Sequence, residues 1–253
     1  MAFTKIKSEA EIEAMRQGGK ILAEIIKKTE DIAAPGVSTK ELADFMQNEA
    51  NKNGATSALV GFMGYPEAAC ISINDEVVHG LPSKNRRLNK GDLVTLDFTI
   101  KYQGMVVDTA KTLYVGDSQT VPKEVIKLVN STKEALSAGI KAIHGPTKVG
   151  DIASTIQSVL ERNNLGIIRD LVGHGVGHEV HEEPNIPNTG VKNTGQLLQP
   201  GMTVAIEPMA TLGDWRVDIK TDGWTVVTRD GSLSAHFEHT VLITNGPAEV
   251  LTA

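Results

Sequence analysis

GDLVTLD, Gly91 to Asp97, and GMTVAIE, Gly201 to Glu207, share the pattern Gly-x-x-Val-x-apolar-acid at an offset of 110 residues. The same offset sets Glu41-Leu42-Ala43 against Asp151-Ile152-Ala153. Two independent matches at one offset mark an internal duplication. The expected fold is therefore α+β, a single domain over residues 1–253 with internal halves roughly 1–115 and 116–253, related by a pseudo-twofold. Each copy also ends an apolar run on a carboxylate, at a strand position where an unpaired charge is costly to bury. Something cationic is expected to meet Asp97 and Glu207 there.

Working outward, each copy is preceded by helical patterning. Ser8 with Glu11 reads as a capping box, and Ile12, Met15, Ile21, Leu22, Ile25 and Ile26 form an apolar stripe at helical spacing. APGVS breaks that helix, and a second starts at Ser38 or Thr39 and ends near Asn53-Gly54. Two more helices are expected near Lys123 to Ala142 and Val149 to Asn163. After the first copy, LDFTIKYQGMVVDTA reads as a hairpin turning at Gln103-Gly104, with Tyr102 opposite Met105. That register sets Asp97 opposite Ala110 and makes Asp108 its diagonal neighbour on the same face.

The composition narrows the function. With 253 residues, 40% of them apolar, the chain can bury a sizeable core. Its net charge of −6 argues against a general nucleic-acid binder, and Lys84 to Arg87, KNRR, reads as a solvated turn. Cys70 is the single cysteine, which excludes an internal disulfide and a cysteine zinc cage and fits a reducing compartment. No window approaches 18 uninterrupted apolar residues, and the charged N-terminal stretch has no apolar h-region. The expectation is a soluble cytoplasmic protein with no membrane partner.

Asp97 and Asp108 repel one another unless one is protonated or a metal is bound. Glu207 in TVAIEPMA and Glu238 in AHFEHTVLIT add two more acids in apolar surroundings, and no basic residue lies within those runs. VGHGVGHEVHEEP, Val172 to Pro184, holds His174, His178 and His181. Glycines at 173, 175 and 177, each costing roughly 1 kcal/mol against alanine in a helix, exclude a shared helical face. HEVH is also one residue short of the HExxH zinc helix. Four carboxylates and one imidazole suit two divalent cations better than a single zinc.

GHGVGHEVHEEP, AIEPM, DGWTVVTRDGSLSAHFEHT and the two aspartates of LDFTIKYQGMVVDTA together resemble the type I methionine aminopeptidases of the pita-bread fold, over essentially the whole chain. The resemblance implies antiparallel strands in two halves around a central dinuclear site, all within one catalytic domain. It carries the metal ligands onto Asp97, Asp108, His174, Glu207 and Glu238. Asp97 then chelates one cation, Asp108 and Glu238 bridge, and His174 and Glu207 complete the second. It makes His79 and His181 substrate contacts, and Phe62, Tyr65, Cys70 and Trp224 the pocket wall. The implied reaction removes an N-terminal methionine from nascent chains when the second residue is small, through a hydroxide bridging two ions of Co, Mn, Fe or Zn. Glu207 relays the proton, His181 donates to the oxyanion, and His79 positions the peptide or protonates the leaving amine. A monomer is expected, and transient ribosome association is compatible with trimming nascent chains.

The chain departs from that pattern where Val180 replaces a common aromatic and Phe62 a common tyrosine, and His178 holds no conserved role in the family. Other pita-bread readings also share features of this sequence. Prolidases share the five ligands but carry a large N-terminal domain. Type II methionine enzymes have a long insertion between His174 and Glu207, where 32 residues intervene here. A non-catalytic scaffold module would have lost ligands. Without the resemblance, a dinuclear phosphoesterase stays open.

Overall fold

Ser8 and Ser38 start the first two helices in the computed structural model, which describes residues 4–253. In helix α1, Glu9–Ile32, and α2, Thr39–Lys52, the serine and the glutamate three residues on cap each other's backbone reciprocally. Helices α3, Lys123–Lys141, and α4, Val149–Arg162, follow in the second half. No described helix is long and apolar enough to cross a membrane.

One eleven-stranded sheet carries the molecule. Its longest strands are β3, Leu93–Tyr102, and β4, Met105–Tyr114, which pair from Leu93 with Tyr114 down to Tyr102 with Met105. Gln103 and Gly104 both take positive φ, 47° and 87°, as a two-residue hairpin turn matched to strand twist demands. On its outer side β3 pairs with β1, Cys70–Ile73, which turns into β2, Glu76–Val78. Next to β4 lies β11, Ser234–Leu242, then β7, Thr203–Ile206, β5, Gly173–Gly175, and β6, Glu182–Ile186. β8, Met209–Thr211, continues β7 beyond Pro208 and also pairs with β11, while β9, Val217–Ile219, and β10, Val226–Thr228, form a separate three-stranded sheet with β2, in which β10 is the central strand.

Helices α1 and α2 pack on β3, β4 and β1, whereas α3 and α4 pack on β11 and its neighbours. Two apolar clusters result. One joins Met15, Leu22 and Ile25 of α1 and Leu42 and Met46 of α2 to Leu96, Phe98 and Ile100. The other joins Leu128, Ile152, Ile156 and Leu160 to Val204, Ile206 and Val241. Each fully buried side chain of this size contributes about 1.5–3 kcal/mol, so the two helical layers clamp the sheet from one face.

Two glycines in the middle of α1 show how closely that layer lies. Together they weaken the helix by about 2 kcal/mol relative to alanine. A Cβ on Gly19 would stand 1.9 Å from the Leu251 carbonyl oxygen, whereas one on Gly18 would meet the Tyr102 Cβ at 3.2 Å. Leu251 is itself held to β11 by its N–H, 2.9 Å from the Thr240 carbonyl. Gly19→Ala is therefore expected to destabilise the protein by about 1–3 kcal/mol, despite the better helix former, because backbone must move. Gly18→Ala, which meets only a side chain, is expected to be near neutral. Thermal denaturation checks both, with a fall of several degrees expected for Gly19→Ala alone.

Candidate metal centre

The strand registers place the acids on the sheet face opposite the helices. Cys70 pairs with Asp97, Asp97 with Ala110, and Ala110 with Glu238. The β7–β11 register ends with Ile206 opposite His239, and one further step brings Glu207 opposite Glu238. Asp108 lies two residues along β4 from Ala110 and so faces the same side. His174 of β5 pairs with Ala205 of β7. Five neighbouring strands thus present Asp97, Asp108, Glu238, Glu207 and His174 in that order across the sheet. Pro208 disfavours helical backbone at Glu207 and ends the strand there, and Asn188 Nδ2 holds the Glu207 carbonyl at 3.1 Å.

Side-chain hydroxyls lock this arrangement. Thr240 Oγ1 accepts the Asp108 N–H at 2.8 Å and donates to the Asp108 carbonyl at 2.9 Å. Thr109 Oγ1 donates to the Glu238 carbonyl at 2.6 Å. A buried ion pair, Lys7 with Glu182 at 3.0 Å, anchors the loop between β5 and β6, where Glu182 Oε1 also accepts the N–H groups of His178 and Glu179 at 2.7 and 3.1 Å.

Burial pushes Asp97, Glu207 and Glu238 well above the usual carboxylate range, and the neighbouring acids add to it. Asp108 is raised to about 6, by burial and against a hydrogen bond from Thr99. Among the described residues no lysine or arginine pairs with any of the four. Asp108 Oδ1 and Glu238 Oε1 are buried without a hydrogen-bond partner, a state that needs a compensating charge. Ligand atoms of Asp108, His174 and Glu238 lie within 4.8 Å of one another. The His174 Nδ1–H donates to the Gly175 carbonyl at 2.9 Å, leaving the Nε2 lone pair free, as a metal-binding imidazole requires. These residues fit divalent cations.

All five open into one cavity of about 170 Å3, and the other residues singled out from the sequence line it too: His79, His181, Phe62, Tyr65, Cys70 and Trp224. Phe62 meets His181 edge-on at 5.2 Å, His181 lies 4.3 Å from His174, and Trp224 stands edge-on to Tyr65 at 5.2 Å. Val180 lines the same wall. His79 follows β2 with a positive φ of 59°, a strained conformation for a residue with a Cβ. Burial lowers its imidazole to about 4 and likewise lowers that of His181. Burial raises the Cys70 thiol, which suits a wall residue and not a thiolate nucleophile. His178 lies elsewhere, with Nε2 2.8 Å from Glu11 of α1.

Two residues at the centre were missed from the sequence, one lining the cavity and one bonded to the Glu207 backbone. His236 is 1% exposed and lines the cavity beside Glu238. Its signal was the two-residue strand spacing to Glu238, which puts both side chains on one face. Asn188 carried no local signal, because its partner Glu207 is reached only through the fold.

The chain matches the model of metallopeptidase family M24 over residues 13–245. It is 42% identical over 248 residues to the methionine aminopeptidase of Clostridium acetobutylicum, covering 98% of each chain. The solved structure of the methionine aminopeptidase from Thermotoga maritima matches with a TM-score of 0.96 at 44% identity, over 99% of both chains. A prolidase from Pyrococcus furiosus shares the fold at a TM-score of 0.78 and 22% identity, but 98% of this chain covers only 65% of that one. The α+β pita-bread architecture expected from the sequence is the one observed. The chain belongs to metallopeptidase family M24 and, within it, to the methionine aminopeptidases.

Proposed function

We propose that the cavity is the catalytic centre of a single domain spanning the chain, and that Asp97, Asp108, His174, Glu207 and Glu238 hold two divalent cations, of Co, Mn, Fe or Zn. The observation that carries this reading is the row of four acids and one bare imidazole on adjacent strands, with partnerless buried oxygens and, among the described residues, no lysine or arginine to pair with them. As a methionine aminopeptidase, the chain removes N-terminal methionine. When bound, the cations supply the Lewis acidity that makes water a nucleophile near neutral pH.

The chain's own groups do the rest. Glu207, at the strand end and partly open to the cavity, accepts the proton of the attacking water. His181 donates to the oxyanion that develops on the first peptide carbonyl, and His79 orients the peptide or hands a proton to the leaving amine. Phe62, Tyr65, Cys70 and Trp224 enclose the methionine side chain. An engineered cavity on the order of 150 Å3 holds a benzene ring, so about 170 Å3 admits one side chain at a time. Likeness to the methionine aminopeptidases supports a small second residue. The substrate is the N-terminus of nascent chains, which fits a monomer in the cytoplasm with transient contact to the ribosome.

Glu207→Gln is expected to lower turnover by about 10²–10⁴-fold with an unchanged circular dichroism spectrum, and near-normal turnover would remove Glu207 from the proton path. His181→Ala is expected to depress turnover while metal content, measured by elemental analysis, stays at the wild-type level. Protein stripped by chelation and reloaded separately with Mn, Co, Fe or Zn is expected to release methionine from Met-Ala-x peptides and to leave Met-Leu-x and x-Pro peptides intact. Cleavage of x-Pro peptides instead would assign the cavity to a proline-directed enzyme.

A further inference from the structure

We propose that His236 is a positioning residue for Glu207, donating to one oxygen of that carboxylate and thereby committing the other to the side of His174. The inference rests on reading Glu207 as a proton-carrying ligand of the metal centre. β11 carries His236 and Glu238 on one face, two residues apart, and both line the cavity. Among the described residues, neither ring nitrogen of His236 has a hydrogen-bond partner, although the residue is 1% exposed. An apolar side chain of similar size would fill that space without leaving two buried polar atoms unmatched, so the imidazole calls for a purpose.

The purpose lies in the surroundings of Glu207. Its Oε1 is 3.5 Å from His174 Nε2 and its Oε2 is 3.6 Å from His236 Nε2, so the carboxylate stands between two imidazoles. The two rings are not equivalent. His174 has given its hydrogen to the Gly175 carbonyl through Nδ1, and its bare Nε2 cannot donate to Glu207. No carbonyl of the described residues claims either nitrogen of His236, so its hydrogen is free to sit on Nε2. The present separation is a few tenths of an ångström beyond a hydrogen bond, and a small ring rotation closes it.

Only the ring is free to adjust. The His236 N–H donates to Thr112 Oγ1 and its carbonyl accepts from the same hydroxyl, each at 2.9 Å, while Thr112 Oγ1 lies 2.7 Å from Thr95 Oγ1. The backbone is therefore pinned while the side chain points at Glu207. A donor held on Oε2 removes the equivalence of the two carboxylate oxygens and leaves Oε1 as the one available on the His174 side.

The test compares wild type, His236→Leu and His236→Gln as holoenzymes loaded with Co(II). Three readouts are taken: kcat and KM on a Met-Ala-Ser peptide, Co(II) affinity by calorimetry, and the visible Co(II) spectrum. Leucine fills the space without a donor, and glutamine keeps a donor of similar reach. His236→Leu is expected to lose about 10–100-fold in kcat or Co(II) affinity, with a changed Co(II) spectrum, a KM within about threefold of wild type and an undiminished melting temperature of the metal-free protein. His236→Gln is expected to recover to within about fivefold. The proposal is overturned if His236→Leu matches wild type in kcat and affinity, if His236→Gln is as impaired as His236→Leu, or if His236→Leu fails to fold. Wild-type protein that takes up no Co(II) would sink the metal-centre reading itself, whereas normal uptake with an unaffected His236→Leu sinks the present proposal alone.

Discussion

Four carboxylates gathered on one sheet face repel one another, and the rest of the centre is arranged around that repulsion. At an effective dielectric near 20, two unit charges about 4 Å apart interact by roughly 4 kcal/mol. Such a cluster survives only where backbone geometry is fixed by other forces. Here α1, α2, α3 and α4 cover the opposite face with apolar side chains, and hydroxyls of Thr109 and Thr240 lock Asp108 and Glu238 to each other's strands. The acids are therefore held in place by contacts that do not involve their own charge. The cation-binding potential is stored in the fold before any ion arrives.

The histidines show how surroundings assign roles to identical side chains. His174, buried and tied through Nδ1 to a carbonyl, presents a lone pair. His181, edge-on to both Phe62 and His174, lines the cavity with its ring. His178, four residues from His174, turns away to Glu11 and Glu182 and touches none of the cavity. Sequence proximity within VGHGVGHEVHEEP has little bearing on the outcome, because the segment is an extended strand and a loop and not a helix. The anchor for that loop is the Lys7–Glu182 pair, whose partner lies at the far end of the chain.

Much of this was legible in advance where the physics is local. The capping pairs Ser8–Glu11 and Ser38–Glu41 declare helix starts because they satisfy orphan backbone donors within one turn. The two-residue turn at Gln103-Gly104 sets the register of Asp97 and Asp108, since a hairpin's turn dictates its pairing. The position of Glu207 before Pro208 likewise marks a strand end. His236 was half visible through its spacing to Glu238, but its neighbour Glu207 sits on another strand. Asn188, and the threonines that pin β4 to β11, act only across elements distant in sequence, and no local pattern announces them.

By itself the sequence determined the helices, the central hairpin and the set of acids that cannot stand unpaired in apolar runs, because each follows from periodicity, caps and turns within a few residues. Only the tertiary structure decided that β3, β4, β11, β7 and β5 lie side by side, so that acids from both halves of the chain share one face. The physical reason is that strand order is set by the packing of whole layers, which sums many weak apolar contacts. That same packing decides which of the buried imidazoles faces Glu207 and which carboxylate oxygens are left without a partner.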